Sequence, residues 1–513
     1  MGPAACPLKN SAVTIKGTMR TLLFAVLSAM ALHGQGLFEG DTDIGNVSHP
    51  GSVLSGAFGT YRITASGANM WSTFDEFHLV WKKIAPGDWS ITSDITIITP
   101  TGNTHRKGVL MMRESLDADA AYVSAALHGD GLTSIQSRPE KGANTYEVQS
   151  NASNPKTLRL VKRGEFVYLW VGDSAADLKF SGGSMRVKWT EPFYIGIGAC
   201  AHDKDAQVEV EFDHVRIDPL AETPKPLAET TKPTRFSTLE TVPYPSGDRR
   251  VAYAAPGMLR GPAYAHDGAS LVVSHDGRIE RVRGGVAETV PLGDVPKSCE
   301  SFQGFSPDGK RLAVSCGLRP SVYVSENGKA KRITHKIPTM WHGWSPDGES
   351  LLYSIERKGR HDFARIPAKG GGKELRLTSD GFSDNPEFSA DGKFIYFNSD
   401  LGTGGTMQIW RMPAAGSGKT EQISKDEYNN WYPHGSPDGK RILMLSCDKA
   451  VRGVPEDREV QLRVLTLESG RFQVVARILK GGRGTLDSPS WSPDGRRIAF
   501  VTYQFLPETG KKR

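Results

Sequence analysis

Long hydrophobic runs are almost absent from these 513 residues. The longest, 21–32 behind Arg20, is well short of the roughly 20 apolar residues that cross a bilayer, so an integral membrane protein is not expected. Cysteine is scarce, with five in the chain, and none has the spacing of a zinc site. An excess of one charge is lacking too. The net charge is +6, and residues 1–36 hold Lys9, Lys16 and Arg20 but no acid, so their removal leaves about +3. That excludes nucleic acid as an expected partner. No nucleophile elbow, phosphate-binding glycine loop, dinucleotide fingerprint or H-E-x-x-H helix occurs, so no catalytic residue and no cofactor is assigned.

The short apolar run instead has the form of a secretory signal: a basic residue, an apolar core and small residues after it. It predicts export to the periplasm or beyond, with a signal over 1–36 and cleavage near Ala31 to Gly36; Met19 is an alternative start. Cys6 precedes the apolar run, so no lipid-attachment cysteine follows it. Cys200, Cys299, Cys316 and Cys447 remain after cleavage. Cys299 and Cys316 stand nearly symmetrically about the turn at Pro307-Asp308. A hairpin there sets them opposite each other or one residue out of register, and in an oxidising compartment the first arrangement permits a cross-strand disulfide.

What the chain does contain is a repeat. Six copies of a S-P-D-G-like turn have their aspartates at Asp267, Asp308, Asp347, Asp391, Asp438 and Asp494, with spacings of 41, 39, 44, 47 and 56 residues. Proline presets φ, aspartate bonds nearby backbone and glycine takes the left-handed conformation that closes the turn. Strand-like runs such as Lys393 to Phe397 and Arg496 to Phe500 follow, and a period near 40–45 residues with about four strands is that of a β-propeller blade. The last copy has two strands left before the chain ends. Two runs ahead of the first copy, within Phe236 to Ala255, are expected to complete it, giving six blades closed by both ends of the domain.

The run from Asp384-Asn385-Pro386-Glu387-Phe388-Ser389 through Phe397-Asn398-Ser399-Asp400 to Gln408-Ile409-Trp410 resembles the TolB-type, WD-repeat-like propeller family of periplasmic proteins. The resemblance covers 236–513. The α/β domain that precedes the propeller in TolB has no counterpart in residues 37–217, so the role of TolB in the Tol envelope system is not carried over.

Residues 37–217 show strand-like segments, among them 89–97, 108–113, 122–127, 158–163, 166–170, 193–197 and 208–212, separated by Gly, Asn and Asp turns. They read as an antiparallel β-sandwich. Gly108 to Glu114, Leu158 to Arg163 and Phe212 to Ile217 resemble the concanavalin-like jelly-roll modules of secreted carbohydrate-active proteins, which implies a glycan or envelope polymer as partner. Arg113 and Arg138 are the candidates to meet an acidic sugar, with surface ion pairing as the alternative. Trp71, Trp81, Trp89, Trp170 and Trp189 are expected mostly in the interior, with room among them for a sugar platform. A Pro-rich linker, 218–235, is expected to be a semi-rigid tether between bodies that move separately. The expected fold is thus all-β, a jelly-roll sandwich followed by a six-bladed propeller.

Candidate site residues follow from counting back along each inner strand. The aromatic three before Asp is expected between blades, and positions four and six before it in the channel. This singles out Glu387 and Asn385, His434 and Tyr432, and Ser488, with Asp384, Asn430, Trp431 and Asp487 from mouth loops and Trp341 and His342 from the third copy. His342 and His434 are weak metal candidates, and no metal site is assigned. The function expected is that of an exported, non-catalytic binding or scaffold protein whose propeller mouth docks a protein partner or polar ligand. A metal-assisted propeller lyase acting on acidic sugars is the alternative.

Overall fold

The computed structural model describes residues 36–220, 234–336, 338–357, 360–379 and 382–506. The expected signal segment and the central part of the Pro-rich linker lie outside the described residues. Two seven-stranded antiparallel sheets build the N-terminal sandwich. One runs in the order Gly40–Ile44, Phe77–Ile84, Phe193–Cys200, Lys107–Arg113, Tyr122–His128, Leu132–Arg138, Tyr146–Ser153. Facing it stand Lys179–Arg186, Phe166–Gly172, Thr157–Arg163, Trp89–Ile97, Val208–Pro219, Tyr61–Ala65 and Ser52–Ser55. Alternate residues of both sheets, such as Leu110, Met112, Val123, Leu158, Leu160 and Phe212, meet in one core, as the two-residue period of a strand requires. All five sandwich tryptophans are half-buried; Trp81, Trp89, Trp170 and Trp189 pack against hydrophobic clusters.

Five four-stranded sheets follow, with inner strands Leu259–Tyr264, Cys299–Phe305, Thr339–Trp344, Ser383–Phe388 and Tyr428–Gly435. The S-P-D-G turns work as their chemistry dictates. In the second copy Ser306 Oγ donates to Asp308 Oδ1 (2.5 Å), Asp308 Oδ1 accepts from Lys310 N (3.1 Å), and Gly309, at φ +72°, donates its N–H to Ser306 O. These bonds hold the Asp308 carboxyl below the usual range, the serine hydroxyl being the main cause. The bonds of the turn are internal to it, a knot that ends one strand and starts the next. Cys299 pairs with Cys316 in the second blade, and a disulfide joins them.

The remaining place in the ring is filled from both ends of the domain. Arg497–Leu506 pairs antiparallel with Thr234–Pro243 over its whole length, Thr234–Pro243 pairs in turn with Arg249–Pro256, and Trp491 bridges Ile498 on the inner side. Arg497–Leu506 packs against both the first-blade strand Leu259–Tyr264 and the fifth-blade strand Phe472–Gly481. A buried carboxylate locks this unit: Glu240 accepts two hydrogen bonds from the Arg249 guanidinium (2.8 Å each) and one from Thr502 Oγ1 (2.8 Å).

The linker's composition predicts separately moving modules, and here the structure corrects the expectation. Val148 and Gln149 of the sandwich pair in parallel with Arg249 and Arg250, so a sandwich sheet runs on without a break into the composite blade. Tyr168 and Phe180 bury against Leu506 with Phe236 beside them, and Val251 belongs to the sandwich core. The carbonyl of Gly182 accepts bonds from Thr238 Oγ1 and Gln504 Nε2, both 3.3 Å. A proline-rich connection excludes helix and strand within itself; it says nothing about surfaces brought together elsewhere.

Gly182 lies at φ +88°, and a Cβ there would stand 2.7 Å from Thr238 Cγ2. Gly182→Val should therefore cost at least ~2 kcal/mol and loosen the junction. Differential scanning calorimetry is expected to show one transition for the native protein and two for the variant; an unshifted single transition in the variant would refute the fused-body account.

Candidate functional site

A cavity of about 460 Å³ opens at the mouth of the ring opposite the S-P-D-G turns. Its wall comes from several segments. The inner strands contribute Arg260, Phe302, Asp384, Asn385, Trp431 and Tyr432; Glu356 and His361 come from the second and third strands of the third blade, where they pair, and the connections after the second strands of the fourth and fifth blades contribute Asp400, Gly405 and Val451. Arg483 and Asp487 enter from the segment leading into the composite blade.

Simple alternation fails at this end of the inner strands, because each of those in blades four and five carries a β-bulge. The register shifts between Asp384 and Glu387 and again between Trp431 and His434. At the bulges Asn385 and Tyr432 take φ of +54° and +53°. In the first blade Gly261, six before its Asp, has φ +56°. Glycine adopts this conformation at no cost, whereas for a bulky tyrosine it is strained and is held by its surroundings. Those surroundings are visible: Asn398 Oδ1 accepts from Asn385 Nδ2 (2.8 Å) and from the Tyr432 backbone N–H (3.2 Å), tying two blades to one atom.

Of the sequence-derived candidates, Asp384, Asn385, Trp431, Tyr432 and Asp487 meet around the cavity. The others lie behind its wall. Glu387 and His434, expected as channel-facing polar groups, are occupied by each other. Glu387 Oε2 faces His434 Nδ1 at 2.5 Å, its Oε1 accepts from Gly435 N at 2.9 Å, and His434 Nε2 donates to Leu486 O at 2.7 Å. This chain links blades four, five and six. Asn430 is buried beneath the rim, donating to Gln408 and Asp426 and accepting from Ser446 and Arg463. Ser488 Oγ accepts from Gln303 N. Trp341, 1% exposed, is core, its ring lying over Gly304 where a Cβ would come within 2.4 Å.

His342 Nε2 bonds Ser354 Oγ at 2.8 Å and stands 3.5 Å from Asp384 Oδ1, with its ring edge-on to Phe302. Burial pushes its pKa down to about 4, opposed by Asp384, so the ring is neutral. Either histidine would have to give up these partners to ligate a metal. Among the described residues no group of three His, Cys, Asp or Glu side chains is arranged to hold a metal ion.

The sandwich candidates are corrected outright. Arg113 and Arg138 are fully buried, so neither meets a sugar nor forms a surface ion pair. Arg138 Nη1 and Nη2 donate to the two oxygens of buried Asp75 (2.9 and 2.7 Å), and Arg113 Nη2 lies 3.5 Å from Asp75 Oδ2. Asp75 sits in the small hairpin Met70–Trp71/Phe74–Asp75, which the two arginines pin to the sheet. Spacing alone could not show this, because an arginine on a strand reads the same whether its charge meets water or a buried carboxylate.

The residues that counting missed are Arg260 at the start of the first inner strand, Phe382 just ahead of the fourth, Glu356 and His361 where the second and third strands of the third blade pair, and Asp400 and Arg483 in connections. Counting forward from each Asp by one strand length would have reached Glu356 and Asp400.

The most perturbed acid at the mouth is Asp487. It is 3% exposed; its Oδ1 accepts from Gly484 N (2.9 Å), and its Oδ2 has no hydrogen-bond partner. Burial raises its pKa to about 6. The Gly484 amide, the charges of Arg260 and Arg483, and the Tyr432 hydroxyl oppose that rise.

A family profile described as the TolB β-propeller domain matches residues 303–474. An uncharacterized protein of Agrobacterium fabrum is 35% identical over 263 residues, 50% of this chain and 88% of that protein. An uncharacterized peptidase of Bacillus subtilis, YuxL, is 26% identical over 208 residues, 38% of this chain and 28% of its own length. Among solved structures, one from Agrobacterium tumefaciens assigned to TolB superposes with a TM-score of 0.50 at 32% identity, covering 53% of this chain and 99% of that one.

Because its native pKa lies above the ordinary 3.8, Asp487 binds its proton more tightly folded than unfolded. Its contribution is therefore complete below about pH 4 and is lost as pH rises through about 6, a cost of up to ~3 kcal/mol. Asp487→Asn should remove that slope and be the more stable protein at pH 8. Denaturant titrations at pH 4 and pH 8 measure this; parallel stability curves for the two proteins would contradict the assignment.

Proposed function

Since the chain belongs to the TolB-type β-propeller family, we propose that it is an exported binding protein whose propeller mouth docks a protein partner. The observation that carries this reading is the mouth cavity, where polar groups and aromatic faces from several blades converge on a space of about 460 Å³. A volume in this range suits a ligand group or a short chain segment. Phe382 and Trp431 offer ring faces, in contact at 6.2 Å between centroids, and aromatic anchors in desolvated pockets dominate binding energy at many interfaces.

His361 stands 3.7 Å from Asp384 at the cavity wall, but the residues named for acid-base chemistry are bonded elsewhere. Glu387 and His434 are committed to holding blades together, and His342 is neutral and bonded. The sugar-lyase alternative rested on those residues, so the binding reading is preferred. For the sandwich, the interior position of Arg113 and Arg138 removes its named glycan contacts. The reading therefore assigns it the role of a fused platform that sets the orientation of the propeller. Export is supported by the basic residue and short apolar run at 20–32. Among the described residues no helix is long and apolar enough to cross a membrane.

A photo-crosslinking amino acid placed at Phe382, on the cavity wall, is expected to capture a discrete protein adduct in the cell envelope. The same group at Lys393, on a turn at the opposite mouth, is expected to capture none. Adducts at Lys393 and none at Phe382 would move the docking surface to the other face and defeat the proposal.

A further inference from the structure

Where the sandwich sheet joins the composite blade, the two strands at the seam part again. Tyr146–Ser153 and Arg249–Pro256 pair only at Val148 with Arg249 and at Gln149 with Arg250, although each strand runs on for several residues. The gap opens into a cavity of about 590 Å³, lined by Asn151 and Ser153 of the sandwich, Thr241 and Arg250 of the composite blade, and Tyr264 and Leu271 of the first blade. A turn of the first blade closes one side. Gly285, at φ +81°, comes so near the sandwich that a Cβ there would lie 3.2 Å from Asn151 Nδ2. Recesses of this size between packed modules are preferred places for small molecules.

The charges on this wall are mostly positive. Arg250 and Arg497 line the cavity against one carboxylate, Asp130, whose Oδ1 already accepts from Leu132 N at 3.0 Å. Arg250 pairs opposite Thr241, and Thr241 opposite Ala499, two residues beyond Arg497, so both arginines stand on the face of the composite blade that packs against the first blade. Arg497 donates to Gly268 O at 2.8 Å and lies 5.7 Å over the Tyr264 ring. Arg250 is exposed and has no hydrogen bond or ion pair among the described residues.

Tyr264 adds a donor without an acceptor. It is the aromatic three before its turn aspartate, and in the third and composite blades the polar tip of that residue reaches a neighbouring backbone: Trp344 Nε1 donates to Gly304 O at 3.0 Å and Trp491 Nε1 to His434 O at 3.1 Å. The Tyr264 hydroxyl oxygen is buried and has no partner. Burial raises its pKa to about 12, opposed by Arg497, so the hydroxyl keeps its proton. A buried O–H with nothing to donate to, beside two guanidiniums, is suited to an acceptor that carries negative charge. Leu132, Leu271 and Val282 make the wall apolar elsewhere.

We propose that the seam between sandwich and propeller binds a small organic anion, a carboxylate or phosphate on an apolar body, with Arg250 and Arg497 holding the charge and the Tyr264 hydroxyl donating to it. An ammonium would face two guanidiniums with one bonded carboxylate to offset them. Each module alone carries only part of the wall, so binding requires the fused body. The inference is independent of what docks at the mouth.

The probes are hexanoate, hexyl phosphate and the neutral hexanamide, titrated calorimetrically into the full mature protein, with inorganic phosphate as a head group alone. Both hexyl anions are expected to bind at least about tenfold more tightly than hexanamide, and hexyl phosphate more tightly than inorganic phosphate. The tighter of the two hexyl anions names the head group. Arg250→Gln is expected to abolish the preference for charge without moving the melting temperature, since that side chain is exposed and unpaired. Tyr264→Phe is expected to weaken anion binding yet leave the ligand-free protein at least as stable, because a hydroxyl that bonds nothing is lost at no cost. Equal binding of anions and amide, a charge preference that survives Arg250→Gln, or no binding of any probe overturns the site. Inorganic phosphate binding as tightly as hexyl phosphate overturns the apolar body. A lower melting temperature of ligand-free Tyr264→Phe overturns the role given to the hydroxyl.

Discussion

The pairing of Thr234–Pro243 with Arg497–Leu506 is the contact on which the rest of the structure depends. It joins residues more than 250 positions apart, for which loop closure costs about 5 kcal/mol beyond its constant part. The return is larger. Leu239, Val242, Ile498 and Phe500 become essentially inaccessible to water, and each such side chain contributes about 1.5–3 kcal/mol. The same strand pair also continues the sandwich sheet through Arg249–Pro256. One set of hydrogen bonds thereby closes the ring and fuses the modules, and no open edge remains at the seam.

Closure also assembles the mouth cavity. Asp487 and Arg483 belong to the segment that leads into the composite blade, and Arg260 to the blade beside it. Only when the ring closes do these groups stand across from Asp384 and Asp400. The interior chain from Glu387 through His434 to Leu486 holds three blades in the same register. Polar residues near a channel thus divide into two kinds: those spent on geometry and those left facing the cavity.

Much of the propeller was legible because its turns are local chemistry. Ser306, Asp308 and Gly309 bond one another within a few residues, so their conformation needs no distant partner. The expected completion of the last blade from Phe236 to Ala255 likewise follows from counting strands per repeat. Asp384, Trp431 and Asp487 line the mouth cavity and were placed near it for the same reason, being fixed distances from a turn. Glu387, His434 and Asn430 were misplaced as free groups because counting gives direction and not occupancy. Whether a side chain facing inward meets water or a neighbour depends on another blade. The bulges at Asn385 and Tyr432 add a further shift that no alternation rule contains.

The sandwich shows the limit more sharply. Its strands were readable from apolar alternation, but the burial of Arg113 and Arg138 against Asp75 joins strands with a hairpin more than 35 residues away. The Pro-rich linker likewise described only itself, while the junction at Gly182, Thr238 and Phe180 was made by residues on either side of it. The sequence by itself determined the blade repeat, the turn geometry, the strand period and the all-β class, since each depends on covalent preferences and neighbours a few residues apart. The tertiary structure alone decided which charges are buried, which polar groups remain open at the mouth, and that two modules form one body. Those outcomes depend on desolvation and pairing between residues that the chain keeps far apart until it folds.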